Sequence, residues 1–215
     1  MVKVVKFTFN PFQENTYIIH DETGECVIID PGCFTREEEK ELTNYIEQKF
    51  LKPVKLVNTH CHIDHVLGNA FVCDQYDLLP EYHALEDEQL KSVERYAEVY
   101  GFQGYAESPL AETYLQEGTQ LEFGNAKLDI LFVPGHAPGH IALYAKEEKL
   151  VISGDVLFLG SIGRTDLPKG DFATLEASIR NEMYSLPDDV VVYCGHGPET
   201  TIGQEKVGNP FVSVG

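Results

Sequence analysis

The chain has 215 residues and a formal net charge of −19 at pH 7. This acidity argues against a general affinity for nucleic acid or anionic lipid, because both bind basic surfaces. An anionic substrate would need a local positive charge, such as a metal ion or a well-placed arginine. Hydrophobic residues make up 43% of the sequence and charged residues 24%, which is ordinary for a globular protein with a sizeable core.

The composition also predicts where the protein resides. The opening residues, MVKVVKFTFNPF, alternate like a strand and lack the apolar core of a secretion signal. The apolar runs are much shorter than the roughly 20 residues that cross a bilayer. The five cysteines are odd in number and show no CxxC pair, which is typical of reduced thiols. We therefore expect a soluble, cytoplasmic protein.

Apolar periodicity predicts strands interrupted by helices, beginning with a group of three strands. These are KVVKFTF, NTYIIH and ECVIID. The next segment, TREEEKELTNYIEQKF, is predicted to be a helix because Thr35 and Glu38 have capping-box spacing. Its apolar stripe consists of Leu42, Ile46 and Phe50.

A strand, PVKLVNTH, and a second helix come next. The helix LEDEQLKSVERYAEVYG is expected to end at Gly101. Its inward-facing side chains are predicted to be Leu85, Leu90, Val93 and Ala97. The acidic segment from 101 to 118 is expected to be a loop with a short helix.

Strands dominate the rest of the chain. They are TQLEF, AKLDILFVP, HIALYAK, LVISGD and DVVVYCGHG. A helix, FATLEASIRNEMYSL, precedes the last strand, and a short tail follows it. No break in composition divides the chain, so we expect one domain over residues 1–215, with helices outside sheets.

Ligand-type side chains cluster at the predicted strand ends and in the loops that follow. They are His60, His62, Asp64, His65, His136, Asp155 and His196. Loops at strand ends can bring ligands together from distant parts of a chain, and neighbouring glycines allow sharp turns. Seven N and O ligands without a thiolate suit zinc, iron or manganese. They are too many for one tetrahedral ion and favour two ions that share a carboxylate. The alternative is that the histidines cap helices or bind carbonyl groups in a core.

The motifs THCHIDH, PGHAPGH, SGD and CGHG together resemble the metallo-β-lactamase superfamily over nearly the whole chain. The resemblance implies an α/β fold, an αβ/βα four-layer sandwich of two mixed sheets with helices outside. It also implies two divalent metal ions, zinc first, with iron or manganese as alternatives. The implied ligands of the first ion are His60, His62 and His136. Those of the second are Asp64, His65 and His196. The resemblance makes Asp155 a bridge between the ions, and Asp64 and Asp155 the candidate catalytic residues.

The loop LFLGSIGRTDLPKGD is similar to a loop of glyoxalase II enzymes (hydroxyacylglutathione hydrolases) and of persulfide dioxygenases. In both families a basic residue after a glycine contacts glutathione, and Arg164 holds that position here. The alternative is that Arg164 only pairs with a carboxylate such as Asp166. The chain resembles the short, single-domain glyoxalase II-like branch, without a C-terminal helical glutathione-binding domain. We expect Asp30 to orient a metal-binding histidine, the alternative being a simple turn cap.

The resemblance implies a metal-dependent hydrolase that cleaves a thioester such as S-lactoylglutathione with a metal-bridging hydroxide. Its expected partner is a small molecule, with no role for nucleic acid or membrane. One alternative is an iron-dependent persulfide dioxygenase with a single iron on His60, His136 and Asp155. Another is a catalytically inactive binding module of the same fold. The bridging role implied for Asp155 argues against a true β-lactamase. The sequence leaves the oligomeric state open.

Overall fold

The computed structural model describes residues 1–214, which form two compact units. The first contains residues 1–114 and 122–126. The second contains residues 115–121 and the described residues from 127 onwards. No helix in this described part of the chain is long and apolar enough to cross a membrane. The predicted single domain includes residue 215, which lies outside the described residues, and it stays a prediction.

A five-stranded mixed sheet is the framework of the first unit. Its strands are β1 (Lys3–Phe9), β2 (Glu14–His20), β3 (Glu25–Ile29), β4 (Lys52–Val57) and β5 (Pro80–Glu81). They are hydrogen-bonded in chain order, β1 to β3 antiparallel and β3 to β5 parallel. Because β3 and β4 are parallel, their C-terminal ends lie at the same edge of the sheet.

Four α-helices accompany this sheet. They are α1 (Arg36–Gln48), α2 (Ile63–Val66), α3 (Asn69–Tyr76) and α4 (Asp87–Tyr96). The predicted capping box is confirmed, because the Thr35 hydroxyl accepts from the Glu38 N–H and the Glu38 carboxylate accepts from the Thr35 N–H. The predicted burial of Phe50 is wrong, since its side chain is 91% exposed. Helix α1 ends before it, and Phe50 turns away with a φ of 53°.

The second predicted helix begins later than expected. Leu90, Val93 and Ala97 are buried as predicted, but Leu85 is 53% exposed. Leu85 lies in a 3-10 helix, Ala84–Glu86, and the completely buried residue of this turn is Glu86. In the described structure residues 101–118 contain no helix, so the short helix expected there is wrong. Helices α2 and α3 were not predicted.

A six-stranded mixed sheet dominates the second part of the chain. Its strands are β6 (Gln120–Phe123), β7 (Ala126–Phe132), β8 (Ile141–Ala145), β9 (Leu150–Gly154), β12 (Val191–Cys194) and β13 (Thr200–Thr201). The order is β13-β12-β9-β8-β7-β6, with β9 and β12 parallel. Strands β10 (Leu157–Phe158) and β11 (Ser161–Ile162) form a separate hairpin.

Two α-helices, α5 (Phe172–Asn181) and α6 (Ile202–Gly208), pack on this sheet, and the 3-10 helix Met183–Ser185 follows α5. Leu175 of α5 and Ile202 of α6 belong to one apolar cluster with Val151 and Val192 of the strands. Helix α6 occupies the segment that the sequence predicts to be a short tail. Each unit thus has its own apolar core.

Candidate metal centre

In the first unit, four ligand-type residues gather directly after β4. Strand β4 ends at Val57, and His62 is the N-cap of α2, so a short connection between strand and helix carries the first ligands. The ring of His60 lies 4.7 Å from that of His62 and 4.2 Å from that of His65. The Oδ2 atom of Asp64 is 3.8 Å from Nε2 of His65. A close-set group of three imidazoles and one carboxylate is suited to a divalent metal ion.

Asp30 supports this group from the end of β3. Its backbone has a φ of 49°, which turns the side chain back towards the adjacent strand end. One carboxylate oxygen accepts from the Thr59 N–H at 2.7 Å, and the other lies 3.1 Å from Nδ1 of His65. Ligand atoms of Asp30, His60 and His65 lie within 4.8 Å of one another. A hydrogen bond from Nδ1–H to a carboxylate directs Nε2 to a metal. That Asp30 tunes metal binding in this way stays a prediction.

A second buried acid, Glu14 of β2, also lies near Nδ1 of His65. Its side chain is completely buried, and Oε1 is 3.9 Å from Nδ1 of His65. Burial raises the pKa of Glu14 well above its ordinary value, and the charge of a protonated His65 opposes that rise. The Thr16 hydroxyl donates to its Oε2 at 2.9 Å. Nothing in the sequence singles out this residue, because Glu14 looks like an ordinary strand start.

Two other buried polar side chains hold the backbone of the ligand segment. The amide of Asn58 donates to the carbonyl of His65 at 3.1 Å. The carboxylate of Glu86 accepts from the N–H of Cys61 at 2.9 Å. Cys61 itself packs in an apolar cluster, and burial, with a smaller effect from Glu86, raises its thiol pKa well above the ordinary value. A neutral thiol that packs in an apolar cluster does not offer a thiolate to a metal ion.

In the second unit, parallel strands bring Asp155 and His196 together. Asp155 follows β9 and His196 follows β12, and the N–H of Gly195 donates to the carbonyl of Gly154 at 2.8 Å. The Oδ2 atom of Asp155 lies 3.5 Å from Nε2 of His136 and 3.5 Å from Nε2 of His196. One carboxylate oxygen thus lies close to two imidazole nitrogens, and a bridging role for Asp155 stays a prediction.

His136 is oriented by backbone contacts. Its Nδ1 lies 2.8 Å from the carbonyl oxygen of Arg164, which fixes the proton on Nδ1 and leaves Nε2 facing Asp155. The preceding Gly135 has a φ of 128°, and a Cβ at this position would clash with the backbone nitrogen of Leu175. The sequence could only indicate that a glycine allows a turn here, whereas the packing shows that a side chain cannot fit.

The side chain of Arg164 pairs with Asp166. Its Nε and Nη2 atoms donate to the two carboxylate oxygens at 2.7 and 2.8 Å. These bonds hold the pKa of Asp166 at about 2. This is the pairing that the sequence left as the alternative to a role in substrate binding. Since the Arg164 side chain is 61% exposed, a substrate carboxylate could replace Asp166 as its partner, and substrate binding stays a prediction.

The fold and the ligand-type groups match a known family. The family model of the metallo-β-lactamase superfamily matches residues 9–196. The chain belongs to the metallo-β-lactamase superfamily. The predicted α/β fold class, with two mixed sheets and helices, is thereby confirmed by the structure and by its solved relatives.

Sequence relatives include two enzymes with different named activities. The hydroxyacylglutathione hydrolase GloC of Haemophilus influenzae is 39% identical over 204 residues, covering 94% of each chain. The human mitochondrial persulfide dioxygenase ETHE1 is 28% identical over 204 residues, covering 93% of this chain and 71% of the relative. Membership of this superfamily and similarity to named enzymes support a metal-dependent enzyme.

Solved relatives carry the same fold. The B3 metallo-β-lactamase BLEG-1 superposes with a TM-score of 0.89 at 33% identity, covering 99% of this chain and 100% of the relative. The protein TTHA1623, crystallised in a di-iron-bound form, has a TM-score of 0.86 at 38% identity. The match covers 96% of this chain and 99% of the relative. A solved relative with this fold therefore holds a pair of iron ions. Zinc, which the sequence favoured, stays a prediction for this chain.

Proposed function

We propose that this protein is a metal-dependent thioester hydrolase whose substrate is an S-acylglutathione such as S-lactoylglutathione. The observation that carries the proposal is the position of the Asp155 carboxylate oxygen, 3.5 Å from Nε2 of both His136 and His196. This geometry suits a carboxylate shared by two ions. The 39% identity to a hydroxyacylglutathione hydrolase supports the substrate class.

The proposed ligands are the seven residues that the sequence singled out. His60, His62 and His136 would hold one ion, and Asp64, His65 and His196 would hold the other. Asp155 would be shared by the two sets. Imidazole and carboxylate donors without a thiolate suit two divalent ions, with zinc proposed first and iron or manganese as alternatives.

When bound, two divalent ions supply hydroxide near neutral pH and polarise the thioester carbonyl. The protein's own residues orient the ligands. Asp30 accepts the Nδ1 proton of His65, and the backbone carbonyl of Arg164 accepts that of His136. Asp64, the second candidate catalytic carboxylate, would accept a hydrogen bond from a water molecule in the site. The guanidinium of Arg164 exchanges Asp166 for a carboxylate of glutathione, which its two-pronged geometry fits.

The test is hydrolysis of S-lactoylglutathione by the metal-replete protein. Asp155→Ala should reduce turnover to background and lower the number of bound metal ions. Asp189→Ala is the matched control, because Asp189 is an exposed aspartate of the second unit that pairs with Lys149. The control should retain full turnover. A metal-replete wild-type protein without turnover would exclude this thioesterase activity.

Two other activities have support from relatives and belong in the same assay series. The persulfide dioxygenase alternative is favoured by the 28% identity to human ETHE1. It predicts one iron per chain, bound by His60, His136 and Asp155, and oxygen consumption with glutathione persulfide. A true β-lactamase activity, which the bridging role proposed for Asp155 argues against, would instead cleave a chromogenic β-lactam, as the name of the B3 relative suggests. An inactive binding module would show none of these activities.

We also propose that the protein acts in the cytoplasm on a small molecule and binds neither nucleic acid nor membrane. The net charge of −19 supports this proposal. So do the five cysteines, all of which are reduced and buried. Cell fractionation and a nucleic-acid retention assay test it, and pelleting with membranes would contradict it.

A further inference from the structure

We infer that Glu86 is a positioning residue for the proposed metal ligands His60 and His62. Its carboxylate holds the backbone of Cys61, the residue between them. The inference deepens the proposed function and rests on the metal centre proposed there. It assigns a role to an acidic residue 25 positions away from Cys61 in sequence.

The contact is direct and shielded from water. Glu86 ends the 3-10 helix Ala84–Glu86 and its side chain is 0% exposed. Its Oε2 atom accepts from the Cys61 N–H at 2.9 Å. The segment is not part of a strand, since β4 ends at Val57 and Thr59 and His60 form a bend. The bond from Glu86 holds the peptide that joins His60 to Cys61, directly after one histidine and one residue before the other.

A second carboxylate holds the same segment two residues earlier. Asp30 accepts from the N–H of Thr59 at 2.7 Å. Asp30 thus holds the peptide between Asn58 and Thr59, and Glu86 holds the peptide between His60 and Cys61. Of these two bonds, the one from Glu86 falls between the two histidines.

Helix capping and core packing do not explain Glu86. It stands at the N-cap of α4, but its side chain makes no capping hydrogen bond there. Its partner Cys61 belongs to an apolar cluster with Val66 and Val93. A carboxylate buried beside such a cluster carries a desolvation cost, which charge-assisted hydrogen bonds reduce. A cation on the adjacent histidines would reduce that cost further. The position of Glu86 therefore suits a group that places the ligands on either side of Cys61.

The test measures metal binding as well as turnover. Metal affinity is determined by competition with a chromophoric chelator, and the ligand geometry is followed by the visible absorption of the Co²⁺-substituted protein. Glu86→Ala should weaken metal binding by about 10- to 100-fold, the usual effect of losing a group that orients ligands. It should also alter the Co²⁺ spectrum. Glu86→Gln keeps an acceptor oxygen and should restore both properties to near the wild-type values.

Glu205→Ala is the matched control for loss of a buried carboxylate. Glu205 is 1% exposed and accepts from Gly160 N–H at 3.0 Å and from Asn209 at 2.9 Å. This variant should lower the melting temperature but leave the affinity and the Co²⁺ spectrum of the folded protein unchanged. A purely structural role for Glu86 would give the same result as this control.

Three outcomes would overturn the inference. The first is a folded Glu86→Ala protein with wild-type metal affinity and spectrum. The second is a loss of metal affinity in Glu86→Gln as large as that in Glu86→Ala. Such a loss would show that the hydrogen bond to Cys61 is not what positions the ligands. The third outcome applies if Glu86→Ala does not fold. Glu86→Asp then takes its place, because it keeps the charge but cannot reach Cys61. Wild-type metal affinity in Glu86→Asp would overturn the inference. A wild-type chain that binds no metal would instead overturn the proposed function, and the inference with it.

Discussion

The backbone N–H of Asp155 donates a hydrogen bond of 3.0 Å to the Nε2 atom of His140. His140 is completely buried, and its Nδ1 lies 3.1 Å from the carbonyl oxygen of Ile141. These two bonds specify a neutral imidazole with its proton on Nδ1. His140 thus acts through the main chain to hold the loop from which the Asp155 carboxylate projects.

The first prediction concerns this contact. His140→Ala leaves the buried N–H of Asp155 unsatisfied, which should cost about 1–3 kcal/mol in the free energy of unfolding. The carboxylate should then be held less firmly, so kcat should fall while KM stays within a few-fold. Urea unfolding and steady-state kinetics measure the two effects. The control is His83→Ala, which removes an N-cap histidine from the first unit. It should change the free energy of unfolding and kcat by less than His140→Ala does. Equal behaviour of the two variants would refute the positioning role.

The second prediction concerns Asp30. Asp30→Asn keeps the size of the side chain, and asparagine tolerates the φ of 49°. The variant loses the charge that binds Nδ1 of His65, so metal affinity should fall by about 10- to 100-fold. Chelator competition gives the affinity. Asp77→Asn is the control, because Asp77 has a similar φ of 55° at the end of α3. Unchanged affinity in Asp30→Asn would leave Asp30 as a turn residue only.

The third prediction separates the two roles considered for Arg164. Arg164→Ala should raise KM for S-lactoylglutathione with little change in kcat, because binding to a remote carboxylate stabilises ground state and transition state alike. Asp166→Ala should leave KM unchanged or lower it, since it removes the competing partner of the guanidinium. Initial-rate measurements decide between them. A normal KM in Arg164→Ala would show that Arg164 serves only its pair with Asp166.

The fourth prediction concerns the turn before His136. Gly135→Ala forces a φ of 128° on alanine and places a Cβ against the Leu175 backbone. It should destabilise the protein by more than the roughly 1–3 kcal/mol of backbone strain alone. Gly160→Ala is the control for strain without a clash, because Gly160 has a φ of 65° and open space around its Cα. Thermal melts compare the two. A smaller loss in Gly135→Ala than in Gly160→Ala would contradict the packing argument.

The sequence by itself determined the family, the fold class and most of the regular elements. The motif spacing was sufficient because ligand type and local turn chemistry are encoded within a few residues, as in the segment from His60 to His65. The capping box at Thr35 was predictable for the same reason. The failures at Phe50 and Leu85 arose at helix ends, where periodicity continues in the sequence although the backbone has already turned.

Only the tertiary structure decided which groups hold the ligand-type residues in place. Asp30 meets His65 across 35 positions of sequence and Glu86 meets Cys61 across 25. The pairing of β9 with β12, which brings Asp155 to His196, is likewise invisible in the order of residues. A buried carboxylate or imidazole looks the same in a sequence whether it faces water, a core or a ligand. Its role depends on the packing of distant elements, because that packing alone sets its hydrogen-bond partners and its distance from water.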